Sequence, residues 1–254
     1  MHAEGLSSFA DPMTASPQRL IWITRAEPGA TSTAARVRAL GHRPLILPLL
    51  EVRPVTEAAP DLAGVGALAF TSANGARMFA KLTQNRALPV FAVGAATAQA
   101  ARAAGFRHVL SADGDVAALA AGIISRAGEF KGCVLHPAAT EPAGDLANPL
   151  SHAGVVLRTA PIYETCPLTP PPEALAKALR ADAALVYSPK AAQQLARLMR
   201  GREAPQMRAL CLSKAVAKPL ARARIGARTF APVPLESALL NLIDRAAPPV
   251  EPAP

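Results

Sequence analysis

"GHRPLILPLLEVRP" (residues 41–54) and "GVVLRTAPIYETCP" (154–167) are the stretches on which the fold turns. Laid over each other, they pair Gly41 with Gly154, Pro48 with Pro161, Glu51 with Glu164 and Pro54 with Pro167, all at a single offset of 113 residues. Two polar turns follow at a similar spacing: "LAFTSANGARMFAKL" (68–82) carries Ser72, and "LVYSPKAAQQLARLM" (185–199) carries Ser188. After each comes an apolar run, a small-residue turn and an Ala-rich helix pattern, "PVFAVGAATAQAARAAG" (89–105) and "MRALCLSKAVAKPLARARIG" (207–226). A repeated order of elements marks two related halves.

Within each half, apolar runs of strand length alternate with amphipathic helical patterns. "RLIWIT" precedes "STAARVRALG", "ALAFTS" precedes "NGARMFAKL", and "VFAVG" precedes "ATAQAARAAG". Continuous apolar strands alternating with helices predict parallel sheets covered on both faces. The two matched stretches depart from this pattern, because each carries a Pro in mid-run and so does not suit a sheet interior. They fit instead as crossings between two domains, pairing with each other. The expected fold class is α/β: two parallel-sheet α/β domains joined by a two-stranded ladder. The first domain is discontinuous, 17–44 with 168–245, and the second is 54–155. Residues 45–53 and 156–167 are the inter-domain linker strands, and a contiguous split near 130 is the alternative.

Composition narrows the function classes. Of 254 residues, 51% are apolar but only 4% aromatic, and the formal charge is +9. The apolar runs fall short of the ~18 residues a membrane span needs. The first 16 residues lack the layout of a signal peptide and, like the tail "AAPPVEPAP" (246–254), read as disordered. The expected location is the cytoplasm. Cys133, Cys166 and Cys211 have no metal-ligand spacing and read as free thiols. No pair of histidines stands at ligand spacing either, so neither metal nor cofactor is expected. The positive charge calls for an acidic partner. The basic residues are scattered, however, and the densest cluster, Arg222, Arg224 and Arg228, lacks interleaved aromatics. A small polyanion therefore suits better than nucleic acid.

In open α/β sheets ligands sit beyond the carboxyl ends of the strands, where helix N-termini favour anions. The turns at such junctions hold Thr24 and Arg25; Thr71, Ser72 and Asn74; Gly94 and Thr97; Ser188 and Lys190; Ser213 and Lys214. The plain reading of Ser72 and Ser188 is as N-caps, each stabilising its helix by about 1 kcal/mol. Five such turns facing one cleft on a basic protein point beyond capping. No nucleotide-binding glycine motif, zinc-protease motif or nucleophile elbow is present. Asp113 and Asp115 read as a turn and a helix start, and His136 as structural. Tyr163, in a crossing stretch, is the candidate for catalysis, because a phenol can donate a hydrogen bond to a leaving oxygen. Its alternative is to pack its ring at the domain joint.

The blocks "ITRAEPGATSTAARVRALGHRPLILPLLEVRP", "AFTSANGARMF", "VFAVGAATAQAARAAGF", "APIYETCP" and "VYSPKAAQQL" resemble, in order and spacing, those of the uroporphyrinogen-III synthase family. The likeness spans about residues 19 to 242. It implies cyclisation of hydroxymethylbilane, a linear tetrapyrrole with eight carboxylates, with loss of water and inversion of the last ring through a spiro intermediate. It also implies that no cofactor or metal is needed. The family tyrosine falls on Tyr163, which would assist departure of the hydroxyl. The Thr71-Ser72 and Gly94–Thr97 turns would line the cleft and contact acetate and propionate groups. A monomer is expected, without nucleic acid or membrane, and with transient docking to the preceding pathway enzyme. Three departures stand out. Ala26 replaces a usual Pro. "HPAATEP" (136–142) replaces a stretch containing Gly and Arg. "LSKAVAKPL" (212–220) places Val216 where a hydroxyl would fall, with Lys190 and Lys214 as candidate compensating cations.

Overall fold

The computed structural model describes residues 17–142 and 144–245; the leader (1–16) and tail (246–254) expectations lie outside the described residues. Eleven strands are described: β1 Leu20–Ile23, β2 Arg43–Ile46, β3 Leu50–Pro54, β4 Val65–Phe70, β5 Val90–Ala92, β6 Val109–Ser111, β7 Cys133–Ala139, β8 Leu157–Pro167, β9 Ala183–Val186, β10 Ala204–Cys211 and β11 Ile225–Phe230. They form a five-stranded sheet, β11-β10-β9-β1-β2, and a six-stranded sheet, β3-β8-β7-β4-β5-β6. Described residues up to Leu50 and from Pro167 onward make one compact unit, and Glu51–Cys166 make the other.

In the first unit every strand pair is parallel. β1 lies between β2 and β9, so the N-terminal βα unit is built into the sheet of the C-terminal half. The strands are apolar on both faces because both are covered. Trp22, Ala184, Val186 and Ala209 pack on one side with Leu195 and Leu198 of the helix Pro189–Leu198. Ile21, Ile23, Leu185 and Leu210 pack on the other with Val37 and Leu239. Residues alternate strictly between the two faces, which is the period of an extended strand.

The second unit repeats this arrangement. Leu68, Phe70 and Leu135 meet Phe79 of the helix Ala73–Leu82 on one face, while Ala67, Ala69 and Val134 meet Leu119 and Ile123 on the other. Phe70, Phe79 and Phe106 pack in a triangle with ring centroids 5.9–6.3 Å apart. β4, β5, β6, β7 and β8 run parallel. β3 pairs with β8 in the antiparallel sense, since Val55 N donates to Ile162 O and Leu168 N to Leu49 O. The fold class is the expected one, α/β with two mostly parallel sheets.

The two prolines differ from expectation. Residues 44–54 are not one strand with a Pro at its centre: β2 ends at Ile46, β3 begins at Leu50, and Pro48 lies in the break. Pro161, by contrast, sits inside β8, which is flanked on both sides. A bulge makes this possible. Pro161 lies opposite Ala138 and Tyr163 opposite Ala139, so Ile162 is an extra residue in the ladder. The register shift absorbs the donor that proline lacks.

Candidate functional site

In the Glu51–Cys166 unit the site grows from the end of β4. Ser72, in extended backbone conformation, caps the helix Ala73–Leu82, its Oγ accepting from Asn74 N at 3.1 Å. The same side chain stands beside the Tyr163 phenol and favours its ionised form. Ser72 is thus more than a cap.

Tyr163 reaches it because of the bulge. Adjacent residues of a regular strand face opposite sides, yet Ile162 and Tyr163 both enter the cluster around Phe70 and Phe79. Breaking the alternation at Pro161 re-aims the tyrosine. Its ring is 4% exposed, and burial raises the phenol above its ordinary value while Ser72 opposes the rise. The raised value keeps the phenol protonated at neutral pH.

Gly75 is needed at the same spot. A Cβ there would lie 2.9 Å from Pro137 O and 3.7 Å from the Tyr163 ring, so only Gly lets the helix approach β7 this closely. Thr71 Oγ1 lies 3.1 Å from Nε2 of His136, a residue 3% exposed within β7. Burial lowers the His136 pKa to about 4, so the imidazole is neutral at pH 7. The expectation that His136 is structural agrees with its burial, but it also fixes Thr71. Asn74 Oδ1 accepts from Arg77 Nη1 at 3.3 Å.

At the end of β5, Gly94 precedes the helix Ala95–Ala103 without a side-chain cap. Ala95 and Ala96 are exposed there. Thr97 follows within the first turn of that helix and is 5% exposed. Asp115 caps Val116–Ser125 by accepting from Ala118 N at 3.0 Å, and Asp113 accepts from Ser111 Oγ at 2.6 Å, the turn and helix start expected of them.

The other unit treats its turns differently. Ser188 and Ser213 are N-caps, accepting from Ala191 N at 3.2 Å and Val216 N at 3.4 Å. Lys190 stands in the first turn of Pro189–Leu198, and Lys214 opens the short helix Lys214–Ala217 with its side chain exposed. Thr24 and Arg25 both find partners within this unit. Thr24 is wholly buried, and its hydroxyl donates to Leu185 O at 2.7 Å, tying β1 to β9. Arg25 is not a spare cation: its guanidinium lies 4.5 Å from the centroid of the Tyr187 ring and 3.4 Å from Glu236 Oε1.

Glu236 anchors a cluster that the residue pattern did not reveal. It accepts from Thr33 Oγ1, from Arg36 Nη1, and from Tyr187 Oη at 3.1 Å. Tyr187 Oη also lies 3.3 Å from Thr33 Oγ1. Burial, and then the Glu236 charge, hold the Tyr187 phenol above its ordinary value. No local signal announces these contacts, since the partners are about 50 to 210 residues apart in the chain.

Among the described residues no group of three His, Cys, Asp or Glu side chains could hold a metal, and no helix is long and apolar enough to cross a membrane. Cys133, Cys166 and Cys211 are free thiols.

A family model described as "Uroporphyrinogen-III synthase HemD" matches residues 31–241. No curated protein matches the chain. Solved structures share the fold. One, uroporphyrinogen-III synthetase from Helicobacter pylori, is 18% identical with a TM-score of 0.63, over 89% of this chain and 98% of that one. Another, a variant uroporphyrinogen III synthase from Thermus thermophilus, is 20% identical with a TM-score of 0.50, over 88% and 97%.

Proposed function

Because this chain belongs to the uroporphyrinogen-III synthase family, we propose that Tyr163, set by Ser72, is the group that assists departure of the hydroxyl when hydroxymethylbilane is closed. The family reaction makes uroporphyrinogen III with loss of water and inversion of the last ring, and serves tetrapyrrole synthesis. Its precursor is reactive by itself, so the protein's work is to hold a flexible chain in the shape that directs ring closure.

The observation that carries the reading is the placement of the Tyr163 ring against Gly75 in the first turn of the helix that Ser72 caps. A buried phenol that stays protonated at pH 7 can donate to the leaving oxygen without a second titrating group. As the C–O bond of the hydroxymethyl group breaks, the leaving oxygen gains negative charge and the phenol donor stabilises it. Thr71, Asn74 and the uncapped turn from Gly94 supply hydroxyl, amide and main-chain N–H groups suited to carboxylates. In the other unit we assign Ser188, Lys190, Ser213 and Lys214 to the same task. Lys190→Ala with Lys214→Ala raises KM for the bilane; an unchanged KM removes both lysines from the site. Thr97 shares the Gly94 turn, whereas Thr24 and Arg25 are left out because their polar groups are engaged within their own unit.

Freshly made hydroxymethylbilane, incubated with the protein and then oxidised, yields isomer III in excess of isomer I. Equal yields with and without protein would remove the activity. We propose a cytoplasmic monomer as the working state, with transient docking to the preceding pathway enzyme. Light scattering of the purified protein, alone and mixed with that enzyme, tests the oligomeric state and the docking.

A further inference from the structure

The first unit holds a second basic feature that this reading does not use. Arg222 and Arg224, part of the densest basic run in the sequence, line an open pocket of about 660 Å³ with Arg197, Arg200 and Arg202. Glu203 is the single carboxylate among the lining residues, and it is engaged by Arg224. A neighbouring depression of about 450 Å³ shares Arg202 and Glu203 and adds Arg180.

The location separates this pocket from the proposed substrate turns. Arg180 precedes β9, Arg202 and Glu203 precede β10, and Arg224 precedes β11. β9, β10 and β11 run parallel, so these residues gather at the amino ends of the strands. Ser188 and Ser213 follow β9 and β10 at the carboxyl ends. The two groups therefore occupy opposite ends of one sheet.

Helix-dipole compensation accounts for part of the cluster: Arg197 lies in the last turn of Pro189–Leu198, where a cation is favoured. It does not account for Arg222 and Arg224, which a different segment brings to the same concavity. Arg202 is partly spent, donating to Leu198 O at 2.8 Å. Among the described residues no ion pair engages Arg197, Arg200 or Arg222. The five arginines are exposed, so solvent screens their mutual repulsion, and a bound anion would relieve what the Arg224–Glu203 pair does not.

We propose that this pocket is a binding site for a small polyanion carrying several phosphate or carboxylate groups, separate from the site of ring closure. Planar guanidiniums take such groups in pairs of parallel hydrogen bonds. The volume lies in the range of small-ligand pockets. Ala196, Met199, Pro219 and Ala223 supply the apolar part of the lining, and no aromatic ring is there to stack a base. Recognition therefore rests on charge, not on a nucleobase.

Calorimetric titration of the full-length protein at constant ionic strength tests this, with tripolyphosphate, citrate and acetate as probes. One equivalent of tripolyphosphate or of citrate binds, acetate does not, and the stronger of the two identifies the phosphate or carboxylate source. Arg197→Glu with Arg222→Glu weakens that binding tenfold or more, and Arg197→Gln with Arg222→Gln weakens it in the same direction. Arg38→Glu with Arg107→Glu carries the same charge change on other exposed sites and leaves binding within twofold. Isomer III formation is unchanged in the pocket variants, so loss of the site and loss of the enzyme reading are distinguishable. Binding equal in wild type and both pocket variants overturns the proposal. So do weakening by the control pair as great as by the pocket pair, and retention on duplex DNA with no affinity for either small polyanion.

Discussion

The chain has two tyrosines, and they are partnered in opposite ways. Tyr187 donates its proton to the Glu236 carboxylate, under the guanidinium of Arg25. Tyr163 stands beside Ser72, a neutral hydroxyl that caps a helix. Both phenols are raised by burial, so both are protonated at neutral pH. What separates them is where the proton is committed. A phenol committed to a carboxylate fits a structural role, and the role proposed for Tyr163 needs a proton not committed in that way.

The largest effect expected is the one that would break this contrast. Tyr163→Phe lowers kcat about tenfold or more, the range of a lost proton-donating group, while the melting temperature changes little. Tyr187→Phe does the reverse: kcat stays near wild type and stability drops by about 1 kcal/mol for the lost hydrogen bond. Steady-state isomer III assays paired with thermal melts decide the matter. Equal kcat losses in both variants would remove the distinction.

How far residues alone carried this contrast depends on sequence distance. Runs such as "LIWI" and "VGALAF" announced buried parallel strands, and Ser72, Ser188 and Asp115 announced helix starts. These are local features, fixed by neighbours within a few residues. The Glu236 cluster was invisible because Thr33, Arg36, Tyr187 and Glu236 meet only after the N-terminal βα unit is built into the C-terminal sheet. The burial of Thr24 and Thr97 was illegible for another reason. A hydroxyl at a strand-to-helix junction is evident from sequence, but the direction it faces is not. Pro161 was misjudged because a bulge permits a proline in a flanked strand, and bulges carry no residue signature of their own here.

A second expected effect sharpens the structural side. Glu236→Gln removes the charge that holds Arg25 and Arg36 while keeping the shape. The Glu236 side chain is only 20% exposed, so the loss is about 2–3 kcal/mol, the scale for breaking a partly buried ionic cluster. Denaturant titration measures it. A stability within about 0.5 kcal/mol of wild type, the scale of a surface substitution, would show the cluster to be incidental.

The third effect concerns pH and belongs to the Tyr163 neighbourhood alone. His136 takes its proton near pH 6.5 when unfolded and near 4 in the folded protein. Above about 6.5 both states are neutral and the stability is fully present. Between the two values the unfolded chain binds more protons, so stability falls with pH, by up to about 3 kcal/mol once pH passes below 4. Melts of wild type and His136→Gln across pH 4–7 test this. The variant has a flatter profile, whereas Glu236→Gln keeps the wild-type contribution of His136. An unchanged slope in His136→Gln would assign the acid sensitivity elsewhere.

The smallest effect discriminates most finely, because it compares two serines that do the same local job. Ser72→Ala and Ser188→Ala each remove an N-cap whose Oγ accepts from a first-turn amide, at 3.1 and 3.2 Å. Each should cost about 1 kcal/mol of stability. If capping were the whole role of both, their kinetic effects would match as closely as their melts. Ser72 also stands beside the Tyr163 phenol, whereas the proton of Tyr187, next to Ser188 in the chain, goes to Glu236. Ser72→Ala therefore lowers kcat severalfold beyond Ser188→Ala at equal loss of stability. A kcat ratio near one between the two variants would reduce Ser72 to a cap and leave Tyr163 to be placed by the Pro161 bulge and Gly75 alone.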